Sequence, residues 1–282
     1  MRTILGRIVD SVLVHGLSIL EELVPMPARL STAAPMPAPR TADPIILVSG
    51  FANTVSPGWN QWRQSLVADG FDVYVIDLPT NGLGDMYDAA RMVAEFIDEV
   101  KRRTGRRKVD VVGFSEGGLL ARMAVSEYGR AGDVDRIITL ASPNNGLSAD
   151  RLANTFSYVP ILGNATPLSI EQLLSGSRLI HDLTAADAGL RRNGPVRYAS
   201  IHSRSFDGAT SPSSAHLDGA LDIAVDFRPG DHRFRLFGFG GPNHFDIYHY
   251  SSPAYDATRA LLLDLAVPST ATDPVTGVMF LS

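Results

Sequence analysis

Uninterrupted apolar runs alternate with helical segments through the first half of the chain, and this rhythm constrains the fold most. "PIILVSG" (44–50), "FDVYVIDLP" (71–79), "KVDVVGF" (108–114) and "VDRIITLASP" (134–143) are too continuous for strands with one wet face. They suit strands covered on both sides. "NQWRQSLVADG" is a helix with an apolar face and a stop at Gly70. "GLGDMYDAARMVAEFIDEVKRRTG" is a long amphipathic helix ending at Gly105, and "EGGLLARMAVSEYG" follows the third strand. Strand, helix, strand, helix implies right-handed crossovers and a mostly parallel central sheet flanked by helices, an α/β fold. The 282 residues suffice for one large domain or two small ones, and 45% hydrophobic content supplies a sizeable core.

The flanks differ. Residues 1–43 open with "MRTILGRIVDSVLVHGLSILEELVP" and continue as a Pro- and Ala-rich arm. Arg2 and Arg7 precede an apolar stretch, as in a leader, but Asp10, His15, Glu21 and Glu22 interrupt it, as in an amphipathic helix. The main domain is expected over 44–282. Within it, 144–194 changes pattern to short helices and Gly/Ser turns, the size of an insertion over the sheet edge, a candidate lid. "PVRYASIHS", "GALDIAVDF" and "HRFRLFGF" then suggest further strands, "SSPAYDATRALLLDLAV" a closing helix, and the last residues an extended tail.

Charge and cysteine content narrow the chemistry. The net charge of −5 argues against a nucleic-acid partner, which requires a basic face. "KRRTGRR" (101–107) suits the solvated, dipole-compatible end of a helix. Without cysteine there is neither a disulfide nor a thiolate nucleophile. No run of about 18 apolar residues marks a membrane span.

Against this background "GFSEGG" (113–118) stands out. It matches G-x-S-x-G where a buried strand runs into a helix. A dinucleotide loop fits less well, because the stretch follows the third strand and lacks the G-x-G-x-x-G spacing. Glycines beside Ser115 remove side chains that would collide in so sharp a turn. A serine hydroxyl is a poor nucleophile unless a base lies within about 3 Å and a third group orients that base. Of the histidines, His15 precedes the core, His181 lies in a helix, His202 in a strand, and His216 and His232 in polar loops. His244, in "GFGGPNHFDIYHY", occupies a late loop before the last helix and fits best; His249 is the runner-up. The acid belongs between serine and histidine in chain order. Asp207, on a loop after "YASIHS", can reach the C-terminal edge of the sheet, where open α/β folds bind ligands. Asp182, Asp187, Asp218, Asp222 and Asp226 compete, and Asp207 could instead only order its own Asp-Gly turn. An oxyanion hole needs two donors: the N–H of Glu116, directly after the nucleophile, and the N–H of Phe51, on the loop after the first strand. Asn53 and Thr54 could add side-chain donors or a pocket wall.

These segments resemble the α/β-hydrolase superfamily, and within it bacterial lipases and carboxylesterases. "PIILVSGF" is similar to the strand and "HG" loop of such lipases, "VDVVGFSEGGLLAR" to their G-H-S-x-G-G segment, "YASIHSRSFDGATSPSSAHLDGALDIAV" to the segment bearing the acid, and "GPNHFDIYH" to the histidine loop. The resemblance implies a serine carboxylic-ester hydrolase. Ser115 would be the nucleophile, His244 the acid and base, Asp207 the orienter, and Phe51 and Glu116 the oxyanion amides. It implies a small-molecule ester or lipid substrate, transient contact with a lipid interface, no cofactor or metal, no obligate protein partner, and a secreted or cell-envelope location. Ser49 and Phe114 stand where His is usual, and Glu116 where Gln or Met is common. An acyltransferase with the same triad, or a non-catalytic binding protein on the same fold, remains the alternative. Leu152, Phe156, Val159, Ile161, Leu162, Leu168, Ile170, Leu173 and Leu174 are candidates for an acyl-pocket wall, or for ordinary packing.

Overall fold

The computed structural model describes residues 30, 38–39, 41–51, 57–78, 82–150, 168–226, 244, 246–249, 251–267, 271–272 and 278–281. The arm before residue 30, the expected strand "HRFRLFGF" and much of the lid candidate lie outside them.

The apolar runs form strands β1 (Ile45–Val48), β2 (Val73–Ile76), β3 (Val109–Phe114) and β4 (Val134–Leu140), followed by β5 (Arg197–Ser203), β6 (Leu221–Val225), β7 (Ala271–Thr272) and β8 (Met279–Leu281). Among the described residues they make one sheet in the order β2-β1-β3-β4-β5-β6-β8-β7. Every pairing is parallel except β7 with β8. The expected extended tail is therefore partly strand: β8 completes the hydrogen bonds of β6.

The helices are α1 (Pro57–Ala68), α2 (Met86–Thr104), α3 (Glu116–Ser126), α4 (Leu168–Leu173), α5 (Arg178–Asn193), α6 (Pro212–Ala215), α7 (Asp246–His249) and α8 (Ser252–Leu262). Local signals set their ends. In α2, Asp85 accepts a hydrogen bond from the Tyr87 N–H, and Gly105 closes the helix in the left-handed region with its N–H on the Lys101 carbonyl. The basic run sits there: Lys101 pairs with Asp133 and Arg103 with Glu99.

Alternating side chains of β1 divide the core. Ile46 and Val48 face Val93, Ile97, Leu120 and Leu183 of α2, α3 and α5, whereas Ile45 and Leu47 face Trp59, Trp62 and Tyr255 of α1 and α8. Both faces of the sheet are covered, which explains why its strands lack polar alternation. The segment 144–194 includes α5, and Leu179, Ile180 and Leu183 of α5 belong to the core beside α3. This part is the crossover between β4 and β5.

Strand order reverses between β1 and β3: from β1 the chain turns one way to β2 and then crosses back to β3 on the other side. Such a reversal opens a crevice at the C-terminal ends of the two strands. Ser115 lies at the end of β3, and Gly50 and Phe51 lie just beyond the end of β1.

Candidate active site

Ser115 occupies a sharp turn with φ 54 and ψ −123. A non-glycine residue there carries strain of about 1–3 kcal/mol. Two features hold the turn. The Ser115 N–H donates to the Leu140 carbonyl of β4 (2.8 Å), and its own carbonyl accepts from Gly118 (3.1 Å). The neighbouring glycines are required by close approach. A Cβ on Gly113 would come within 2.5 Å of the backbone of Gly117 and Gly118, and one on Gly117 within 2.3 Å of the Val48 carbonyl. The elbow thus interlocks β3, α3 and the end of β1.

Its hydroxyl meets a histidine 129 positions later: His244 Nε2 lies 2.8 Å from Ser115 Oγ. The other ring nitrogen, Nδ1, lies 3.0 Å from Asp207 Oδ2. His244 is buried, and its ring packs on Phe114 at 4.9 Å between centroids. Phe114 packs in turn on Tyr248 of α7, whose carbonyl accepts from the Trp62 indole N–H of α1. The helix after His244 is therefore tied to the core.

Asp207 has two separate tasks for its two oxygens. Oδ1 accepts from the N–H groups of Ala209 (2.9 Å) and Thr210 (2.6 Å), which orders its own turn. Oδ2 faces His244. The turn is anchored where Thr210 Oγ1 donates to the carbonyl of Ala141, at the end of β4 (3.1 Å). The loops after β3, β4 and β5 and the segment before α7 converge on one point.

The competing acids are engaged elsewhere. Asp182 pairs with Arg178 at 3.1 Å and Asp226 with Arg204 at 3.0 Å, both on the surface. Asp218 pairs with Arg192. Asp187 is fully buried against Arg122 of α3 (2.7 Å). Asp222 bridges two histidines: Oδ1 lies 2.9 Å from His202 Nε2, and Oδ2 lies 2.5 Å from His216 Nδ1. Burial opposes a charge on His202, but the hydrogen bond and charge of Asp222 outweigh it and raise its pKa. Burial likewise works against the Asp222 carboxylate, and the two histidines outweigh it and lower its pKa. His181 is exposed; His15, His232 and the His249 side chain lie outside the described residues.

The loop after β1 presses on Ser115. A Cβ on Gly50 would stand 2.8 Å from Ser115 Cβ and 2.9 Å from the Phe114 carbonyl. Phe51 follows directly and is half-buried; Asn53 and Thr54 lie outside the described residues. Glu116 opens α3, whose free N–H groups point toward the nucleophile end. Its side chain is buried, and neither carboxylate oxygen has a hydrogen-bond partner among the described residues. Burial alone pushes its pKa well above the ordinary carboxylate range. Ser49 is buried, and its hydroxyl has no hydrogen-bond partner among the described residues.

Of the pocket-wall candidates, Ile170 and Leu173 are buried, Leu173 within the core beside α2 and α3, while Leu168 is exposed. Leu152, Phe156, Val159, Ile161 and Leu162 lie outside the described residues. Among the described residues no helix is long and apolar enough to cross a membrane.

Two residues supporting the site escaped sequence reasoning. Arg122, inside the otherwise apolar "LLARMAV" helix, is fully buried; its guanidinium donates to Asp187 and to the backbone (3.0 Å) and side-chain (3.2 Å) oxygens of Asn144. Asn144 in turn donates to the Ala215 carbonyl at 2.7 Å. A charged residue on a helix with no wet face is itself the signal that a buried partner exists.

A family model described as alpha/beta hydrolase fold matches residues 43–180, a span that includes Ser115 and stops before Asp207 and His244. Among solved structures, the mature form of the Bacillus licheniformis lipase BlEst2 is similar at 22% identity and TM-score 0.60, covering 80% of this chain and 94% of that one. Its propeptide form matches at the same identity and TM-score over 85% of this chain and 54% of that one. A Listeria innocua protein is similar at 14% identity and TM-score 0.52, over 86% and 99% of the two chains.

Proposed function

The chain has the α/β-hydrolase fold, and from that premise we propose that it is a serine carboxylic-ester hydrolase, a lipase or esterase. One observation carries the reading: Ser115 Oγ, the His244 ring and Asp207 Oδ2 form a continuous relay of 2.8 Å and 3.0 Å contacts at the switch point of the sheet. The fold and the family match support hydrolytic chemistry of this type.

In this reading Ser115 Oγ attacks the ester carbonyl carbon while His244 Nε2 takes its proton. Asp207 holds Nδ1–H and stabilises the imidazolium. The negative charge on the carbonyl oxygen is held by the N–H groups of Glu116 and Phe51. Collapse of the tetrahedral species breaks the ester C–O bond, and His244 returns its proton to the leaving alcohol. Water then enters by the same route: its oxygen bonds to the acyl carbon as His244 takes its proton, the acyl–Ser115 bond breaks as His244 returns that proton to Ser115 Oγ, and the acid leaves. The substrate is a small-molecule ester or lipid, and the protein would work outside the cytoplasm at a lipid interface.

The test is hydrolysis of p-nitrophenyl esters from acetate to palmitate by wild type and Ser115→Ala, with phosphonate labelling of Ser115. Chain-length preference separates esterase from lipase. Retained turnover in Ser115→Ala, or a phosphonate adduct at another residue, would overturn the reading.

A further inference from the structure

Glu116 stands apart among the described residues. It follows the nucleophile directly, it is 1% exposed, and both its side-chain oxygens lack a hydrogen-bond partner among the described residues. Its carboxyl and the loop after β1 both border Gly82. The point where a Cβ on Gly82 would stand is 3.5 Å from Glu116 Oε1, 3.0 Å from the Gly50 carbonyl oxygen and 3.4 Å from Phe51 Cα. An ionised carboxylate in such a place would be a bare charge without solvent, which a protein avoids by keeping the proton.

Charged and titratable groups on the surrounding elements do not relieve it. His244 faces Asp207 and Ser115. Asp77, after β2, is exposed. Asp85, at the start of α2, is taken up by Tyr87 N–H and Gln172. Asp88 is held by Arg91. Arg122, further along α3, is paired with Asp187. None of them contributes to the rise in its pKa, which burial causes alone.

We propose that Glu116 is a positioning residue that works as a neutral acid: it stands beside the loop carrying Phe51, and catalysis requires that it keep its proton. The inference rests on the hydrolase reading and adds regulation of that site by pH. The physical reason is local. The oxyanion would develop at the N–H of the same residue, in a region of low dielectric. A negative side chain there opposes that charge, so losing the proton weakens the transition state more than the ground state. A folded-state value above the ordinary one puts this loss on the alkaline side.

The experiment compares wild type, Glu116→Gln and Ser115→Ala. Wild-type kcat/KM on p-nitrophenyl butyrate is expected to fall by about tenfold per pH unit beyond an alkaline inflection, reversibly and with unchanged circular dichroism. Glu116→Gln, which has no proton to lose, is expected to lack that limb. Glu116→Met serves the same comparison should the amide disturb the fold. Coincident alkaline limbs in wild type and both variants would overturn the proposal. Infrared difference spectra supply a readout independent of activity. A protonated-carboxyl C=O band present in wild type and missing in Glu116→Gln is expected at neutral pH; absence of that difference also overturns it. Asp110, pushed up to about 8 by burial in spite of Arg136, lies at the opposite end of β3, is common to both proteins and cancels. Ser115→Ala keeps the infrared band and loses turnover. If Ser115→Ala keeps full turnover while the band behaves as expected, the hydrolase reading fails and the neutral acid stands.

Discussion

At the scale of single residues, the proposed site depends on three side chains and on the absent Cβ atoms of Gly50, Gly113 and Gly117. Ser115→Ala and His244→Ala are expected to lower kcat by at least about a thousandfold with little change in stability, measured by ester hydrolysis beside thermal melting. Asp207→Asn should keep its turn, because an amide oxygen can still accept from Ala209 and Thr210, yet lose on the order of 10⁴ in kcat through the wrong histidine tautomer. Gly50→Ala is a sharper probe of the loop after β1. Its new methyl would meet Ser115 Cβ at 2.8 Å, so it should lower activity more than it lowers the melting temperature. A melting loss with activity intact would show that the loop, not the nucleophile, gives way. The serine was legible because strand, glycine and helix surround it in sequence. Gly50 was not, because nothing local says that residues 65 positions apart touch.

At the scale of elements, buried charge pairs lock the scaffold under the site. Arg122 of α3 and Asp187 of α5 are both fully buried, 65 positions apart. Asp187→Asn should cost about 3–5 kcal/mol in denaturant unfolding, since it strands a buried guanidinium. The His202–Asp222–His216 cluster ties β5, β6 and the end of α6 together and makes stability depend on pH. The raised pKa of His202 means that its contribution is fully present below the unfolded histidine value and is lost as pH rises through the folded one. The lowered pKa of Asp222 means that its contribution is present above the unfolded carboxylate value and is lost as pH falls through the folded one. The cluster therefore stabilises most between roughly pH 4 and 6.5. Asp222→Asn should destabilise by on the order of 3 kcal/mol there and by less at alkaline pH, read from urea unfolding across pH. An equal loss at every pH would remove the titration argument.

At the scale of the whole molecule, one sheet spans the described strands, and β8 covers the edge of β6. Deleting residues 278–282 removes β8 and bares the edge of β6. The expected result is a lower melting temperature and association by size-exclusion chromatography, because an open edge pairs with other chains. The apolar runs of β1 to β4 were readable from sequence because a strand buried on both faces has to be continuously apolar. Ser115 and Asp207 could be picked out as candidates because each follows a strand, β3 and β5. Chain order also reduced the acid to a short set of candidates. Only the tertiary structure separated Asp207 from Asp182, Asp187, Asp218, Asp222 and Asp226, since what distinguishes them is which carboxylate stands 3.0 Å from His244 and which are spent on other partners. Strand periodicity and turn chemistry are local and survive in sequence. Partner choice among charges, the burial of Glu116 and the closure of Gly50 over Ser115 are contacts between distant segments, and they exist only once the sheet has brought those segments together.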